Sequence, residues 1–317
     1  MMHRIKSSWL SWVQFWSQKE HGTALAIFRI AMGLTLIYTF NQPLQDGIYQ
    51  IIWVDKTFGG LRDLNPAPWL IELLGGATPD AIWRFICLGF LCGVALLLGI
   101  FPRFFALLGM FLMNNISWHN AMATAGHDDL IANALWLLVF ANSAQTLSVM
   151  CKIKTGLWQN NTPIFAFPRY LILLQLIWMY TSTGLQKLSV HWIPFGKLDA
   201  LWYILLQPTW AKYDFREAYF FYPLTQVATF SVWCFEVFSP LLLIGLYLQN
   251  TSAQGGWLRK RLQSFPLRRC FMAIGIPMHI GIHLLMAVGP FSIASVAYYA
   301  ALIKIPAQPE PVSKDHP

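Results

Sequence analysis

Lys187 stands in the run Tyr180-Thr-Ser-Thr-Gly-Leu-Gln-Lys187-Leu-Ser-Val-His191-Trp192. At the roughly 100° step of an α-helix, Tyr180, Gly184, Lys187 and His191 fall within about 60° of one another. A phenol, a small residue, an amine and an imidazole then share one face. Two chemistries fit that face. One is a snorkelling lysine at a helix end, its stem in apolar surroundings and its ammonium in water. The other is a desolvated amine that works as a general base, because burial disfavours its charged form. Gly184 would let a second helix or a flat ligand approach the backbone.

Histidines supply the next candidates. His279 and His283 lie one helical turn apart in Pro277-Met-His-Ile-Gly-Ile-His283. Such a pair can chelate a metal. No Glu follows the first His and no acidic cluster adjoins, so a hydrogen-bonding pair lining a cavity fits better, and no metal is expected. His127 opens Gly126-His-Asp-Asp129, where Asp128 or Asp129 also suits a helix cap. Arg29 and Glu236 fall inside apolar runs, where an ionisable group costs about 2.5–3.5 kcal/mol on insertion scales. Pairing Arg29 with Glu236 as a structural ion pair is the cheapest way to keep both there. Arg84 would find an acid in Asp128, Asp129 or the first long loop.

The elements that carry these groups follow from composition. Charged residues make up 11% of the 317, against about 25% in ordinary globular chains, and hydrophobic residues make up 56%. Mean hydropathy is +0.48. Disorder, a coiled coil and a soluble single-domain enzyme are excluded together. The fold expected is all-α, a polytopic membrane bundle of about eight helices: Thr23–Phe40, Ile82–Phe101, Phe104–Asn120, Leu130–Met150, Pro168–Val190, Val227–Leu248, Arg268–Val288 and Pro290–Ile305. Tight hairpins are expected around Pro102-Arg103 and around Gly289. With the N-terminus inside, fourteen of the 22 basic residues fall on cytoplasmic segments and five on outer ones. Both termini are therefore expected in the cytoplasm, and the +8 charge reads as topology, not as nucleic-acid binding. At that orientation Lys187, His191, His127, His119 and His283 project to the outer third of the bilayer.

Around the bundle, residues 1–22 read as an interfacial amphipathic segment, with Trp9, Trp12, Val13 and Trp16 beside Arg4, Lys6 and Lys19. Residues 23–306 form the transmembrane domain and 307–317 a short cytoplasmic tail. The outer loops Asn41–Ala81 and His191–Pro223 each hold one short apolar run, Pro68–Leu74 and Leu198–Leu206. The five cysteines form no CxxC pair and read as small buried residues.

Read in order, these features resemble the vitamin K-dependent γ-carboxylase-like (HTTM) membrane family, in its short bacterial, SdpB-like form. The residues that carry the resemblance are Phe28-Arg29 with Gly33, His127 with Leu130, and Gly184-Leu-Gln-Lys187-Leu188 with Trp192. Glu236 with Pro240, then His283-Leu284 ahead of Pro290-Phe-Ser-Ile293, complete it across about residues 20–305. The resemblance implies carboxylase/epoxidase-like catalysis. Lys187 would deprotonate a reduced, vitamin K-like quinone, which with oxygen becomes a base strong enough to take a proton from the γ-carbon of a glutamate. The resulting carbanion captures carbon dioxide. It implies that His127 assists by hydrogen bonding, and that a secreted peptide is the substrate. Gln186 stands where the carboxylase has a second lysine, and 12 residues follow Ile305 where the carboxylase carries a large substrate-recognition domain.

The expected site is thus an outer-facing pocket with Lys187 and His127 as catalytic groups. His283, His279, Tyr180 and His191 would contact the quinone. Membrane lipids and a secreted peptide are the expected partners. Two other readings remain: a non-enzymatic membrane factor for peptide maturation or export, and a metal or haem redox protein ligated by His279 and His283.

Overall fold

Thr78, Pro79 and Gly99 punctuate one of the longest apolar runs. The Thr78 hydroxyl accepts from the Ala81 N–H at 3.3 Å, Pro79 takes the first helical position, and Gly99 ends the helix in the left-handed conformation at φ 71°. The computed structural model describes residues 16–250 and 256–305 together with Trp9 and Val13, and these are mostly helical. Arg4, Lys6 and Trp12 of the expected interfacial segment, and the tail from 307, lie outside the described residues.

A two-stranded antiparallel sheet joins β1 (Lys19–Glu20) to β2 (Ile164–Phe165), with Lys19 opposite Phe165. The longer helices are α1 (Thr23–Gln45), α2 (Pro79–Leu98), α3 (Pro102–His119), α4 (Gly126–Phe140), α5 (Phe167–Gln186), α6 (Tyr222–Val237), α7 (Pro240–Asn250), α8 (Leu267–Leu285) and α9 (Phe291–Tyr298). They divide between two compact units, one of residues up to 172 with 303 onward, the other Leu173–Leu302.

By length and apolarity, α1 and α2 are able to cross a membrane. α6, with the turn before it, joins α7 as one further crossing only through a 51° bend. Helix covers each of the eight expected segments in part, and three boundaries need correction. The Leu130–Met150 segment stops at Phe140, because Asn142, Ser143, Gln145 and Thr146 interrupt the apolar run. After it Leu147 turns left-handed (φ 51°), Ser148 caps the short helix Val149–Thr155 and Gly156 ends it. The Pro168–Val190 segment stops at Gln186. Val227–Leu248 breaks at Phe238-Ser239, where the Ser239 hydroxyl donates to the Glu236 carbonyl at 2.8 Å and Pro240 begins a new helix.

In the first unit the α1–α2 contact is backbone on backbone. A Cβ on Gly33 would meet the Leu97 nitrogen at 2.5 Å and the Gly93 oxygen at 2.8 Å, and one on Gly89 would meet the Phe40 ring at 2.5 Å. Small residues at such crossings let dispersion act over a short interaxial distance, which matters most where no water is available to drive association. Phe28, Met32, Leu36, Phe85 and Ile86 are fully buried around this seam. Glu20 and Arg169 pair beneath the sheet, the guanidinium donating from Nε and Nη2 to the two carboxylate oxygens, each at 2.7 Å. In the first long loop Asp55 acts as an organising anion. Its carboxylate accepts from the Thr57 N–H, the Thr57 hydroxyl and the Leu64 N–H at 2.7–2.9 Å. The apolar runs expected in both loops fold as one-turn-and-a-half helices, Trp69–Leu74 and Ala200–Leu205.

The second unit is held by aromatic and polar contacts. Phe235 and Phe271 lie 4.4 Å apart between centroids, and Tyr299 packs 5.9 Å from Phe271. A Cβ on Gly275 of α8 would collide with the Tyr299 hydroxyl, so that position brings α8 onto the turn Tyr299–Leu302. The strand-like pairing of Ala211 with Met286 ties the second long loop to the end of α8, with Lys212 N–H donating to the Leu285 carbonyl at 3.0 Å.

Candidate functional site

Three residues of α5 and its end face α6 and the break that follows it. Thr181 Oγ1 lies 3.1 Å from Ser239 Oγ, and a Cβ on Gly184 would sit 2.8 Å from Glu236 Cβ and 2.9 Å from the Val237 nitrogen. The missing side chain at 184 is what admits Glu236. Lys187 is the first residue past the helix and its Nζ donates to Glu236 Oε2 at 2.5 Å. The same Nζ lies 4.5 Å from the centroid of the Trp192 ring, a cation–π distance. The Lys187 side chain is 21% exposed and that of Glu236 9%, so the pair is neither sealed nor on the open surface.

Tyr180, two turns before Lys187, belongs to a second cluster. Its hydroxyl lies 2.6 Å from His279 Nε2 and 2.6 Å from the Tyr299 hydroxyl. All three side chains are at most 2% exposed. A phenol has one proton, so Tyr180 donates to one neighbour and accepts from the other. The row therefore has two proton arrangements, which differ in the tautomer of His279. His279 Nδ1 has no hydrogen-bond partner in either. Phe235, Phe271 and Phe291 surround this row, at 5.1 and 6.0 Å from Tyr180 and 5.5 Å from His279 respectively.

The other expected residues are placed differently. His191 is not on the face of Tyr180 and Lys187, because the helix has ended. Ser189 closes a turn onto Trp192, and Nδ1 of His191 donates to Asp199 Oδ1 at 2.6 Å. His283 is half-buried and its carbonyl accepts from Lys212 Nζ at 2.5 Å, while its ring makes no bond with a described side chain. His279 Nε2 is engaged by Tyr180. Among the described residues no three His, Cys, Asp or Glu side chains converge to hold a metal.

In the first unit His127 Nε2 sits 3.6 Å from Asp128 Oδ1, and Asp128 caps α4 by accepting from the Ala125 N–H at 2.9 Å. His119 donates to the Trp53 carbonyl at 2.8 Å and so fastens the end of α3 to the first loop. Arg84 reaches the Leu74 carbonyl at 3.5 Å, not an acid.

The two residues of the expected Arg29–Glu236 ion pair lie in different units, and each has a partner within its own. Glu236 takes Lys187. Arg29, fully buried, donates from Nη2 to the Leu147 carbonyl at 2.5 Å, and its Nη1 rests against Gly99, where any side chain would collide with it. A guanidinium in an apolar run needs acceptors, and the left-handed turn at Leu147 supplies a carbonyl from the chain itself.

Five residues that make these contacts had no sequence signal. Tyr299 lies within an apolar run and looks like core. Ser239 and Thr181 look like ordinary small polar helix residues. Glu20 and Arg169 are separated by 149 positions, and only the β1–β2 pairing brings them together. Compared with protein-family models, curated proteins and solved structures, the chain matches none of them.

Proposed function

We propose that this chain is a polytopic membrane protein of about eight helices with both termini cytoplasmic, and that its Leu173–Leu302 unit handles protons for a lipid-soluble reduced quinone in carboxylase/epoxidase-like chemistry on a secreted peptide. The observation that carries this reading is the Lys187–Glu236 contact. An ammonium has no lone pair and acts as a base only after losing a proton. Glu236 Oε2, at 2.5 Å, is positioned to receive it, which turns the pair into a base with its own acceptor. Trp192 lies against the same amine at a cation–π distance, so the ring helps to fix where Nζ sits.

The residues fit a quinone on two counts. Phe235, Phe271 and Phe291 offer ring-stacking surface, and His279 Nδ1 is a buried polar atom in want of a partner. His279, Tyr180 and Lys187 would hold its oxygens. When bound, such a group supplies the redox chemistry and, with oxygen, the strong base that no side chain provides. The Tyr180–His279–Tyr299 row would hold or return protons at the phenol oxygens and keep water out.

Purified protein supplied with a reduced naphthoquinone tests this through oxygen uptake. Uptake is expected in the native protein and is lost in Lys187→Ala and Glu236→Gln, with both variants still in the membrane fraction. Native protein without uptake, or uptake unaltered by Lys187→Ala, overturns the reading.

A further inference from the structure

The connection between α2 and α3, the segment after α4 and the helix Val149–Thr155 enclose a cleft of about 290 Å³ in the first unit. Phe101, Arg103, Phe104, Asn142, Met150 and Lys154 line it, and no carboxylate does. Arg103 Nε donates to the Ala141 carbonyl at 3.3 Å, which fixes the guanidinium and leaves its two terminal nitrogens without an acceptor among the described residues. Lys154 has no partner among them either. Two uncompensated cations beside a neutral amide make a site for a doubly or singly charged anion.

Its rim is apolar. Phe101 and Phe104 are 61% and 60% exposed, and Ile153 on the bordering helix is 72% exposed. Phe101 holds φ 39° and ψ 54°, a left-handed conformation that bulky residues rarely adopt, and yet its ring is not buried. A free anion uses the cations and leaves these rings in water. An amphiphile with a phosphate and a hydrocarbon tail uses both.

We propose that this cleft binds the phosphate headgroup of an anionic phospholipid, Arg103 and Lys154 taking the phosphate while Phe101, Phe104 and Met150 take the upper acyl chain. Each basic side chain near an anionic lipid surface strengthens binding by about fivefold, so the two together give up to about twenty-five-fold. The inference is separate from the quinone reading and shares with it only a membrane setting. That setting is checked independently by whether the protein stays with carbonate-washed membranes.

The test is native mass spectrometry of the purified full chain in neutral detergent, titrated with dioleoyl phosphatidylglycerol, with dioleoyl phosphatidylcholine, or with inorganic phosphate. Expected is retention of phosphatidylglycerol at least about tenfold tighter than phosphatidylcholine. The Arg103→Gln/Lys154→Gln double variant should fall to the phosphatidylcholine level, and phosphate should compete only weakly. Lys154→Gln alone, which breaks no contact with a described residue, should weaken phosphatidylglycerol about fivefold and keeps the test decisive if the double variant does not fold. Equal retention of the two lipids, unchanged retention in Lys154→Gln, or displacement by phosphate as effective as by phosphatidylglycerol overturns the proposal, the last in favour of a free-anion site.

Discussion

Among the described residues two buried carboxylates meet an arginine or a lysine, and they do so in opposite styles. Glu20 meets Arg169 through two parallel bonds of 2.7 Å, with side chains 5% and 1% exposed, and the guanidinium also lies 4.9 Å from the Tyr170 ring centroid. Glu236 meets Lys187 through a single contact, beside a fifth of an exposed side chain. Arginine presents a planar fork that does not give up its proton, so the first pair is a clamp. Lysine presents a point charge on a flexible stem with no fixed fork, so the second is the pair that the proposed proton chemistry would use. Burial by itself does not mark a site. The kind of cation and the number of bonds to it separate a staple from a place where chemistry can occur.

The sharpest way to break this contrast is to remove each cation. Arg169→Ala leaves Glu20 as an uncompensated charge, and about 3–5 kcal/mol of stability should go, read by denaturation in detergent. Lys187→Ala, the variant expected to abolish quinone-dependent oxygen uptake, should cost less than about 2 kcal/mol, because its carboxylate is left nearer to solvent. If the two losses come out equal, the distinction between clamp and working pair fails.

Gly184→Ala sharpens it from the other side. The new Cβ crowds Glu236 and Val237, which should cost roughly 1–3 kcal/mol. It should also depress oxygen uptake more than its stability loss explains, since Glu236 is pushed from Nζ.

The smallest effect concerns a carboxylate with no cation bonded to it. The Leu64 N–H, together with the Thr57 hydroxyl and N–H, lowers the Asp55 carboxyl to about 2. Because the folded value lies below the ordinary 3.8, its contribution to the loop is complete above about pH 4 and disappears as pH falls through about 2. Hydrogen-exchange protection of the Leu64 N–H, corrected for intrinsic rate, should fall over that window and stay flat above it.

Much of the helix inventory was legible because hydrophobic runs and their Gly and Pro punctuation are local. Pro79 and Gly99 mark α2, and Pro102 starts α3, with no information from elsewhere in the chain. The wheel around Lys187 was right as far as Gly184 and wrong at His191, since a helical face persists only while the helix does, and the turn at Ser189 depends on Val190 meeting Lys197. Arg29 was read as needing a partner, and within its own unit it has the Leu147 carbonyl. An ionisable group in an apolar run advertises its need, but a main-chain carbonyl can meet it, and no residue type announces which carbonyl will turn inward.

The amino-acid order alone therefore determined the helical character, the apolar runs and the few residues able to do proton chemistry, because propensity, periodicity and charge are properties of neighbours in the chain. Which groups became partners was decided only by tertiary structure. Glu236 took Lys187 because a glycine at 184 lets α6 come close. Tyr180 and His279 met Tyr299 because Gly275 leaves room for its hydroxyl. Both choices turn on distances of about one methyl group between segments far apart in the chain, and such distances exist only after packing.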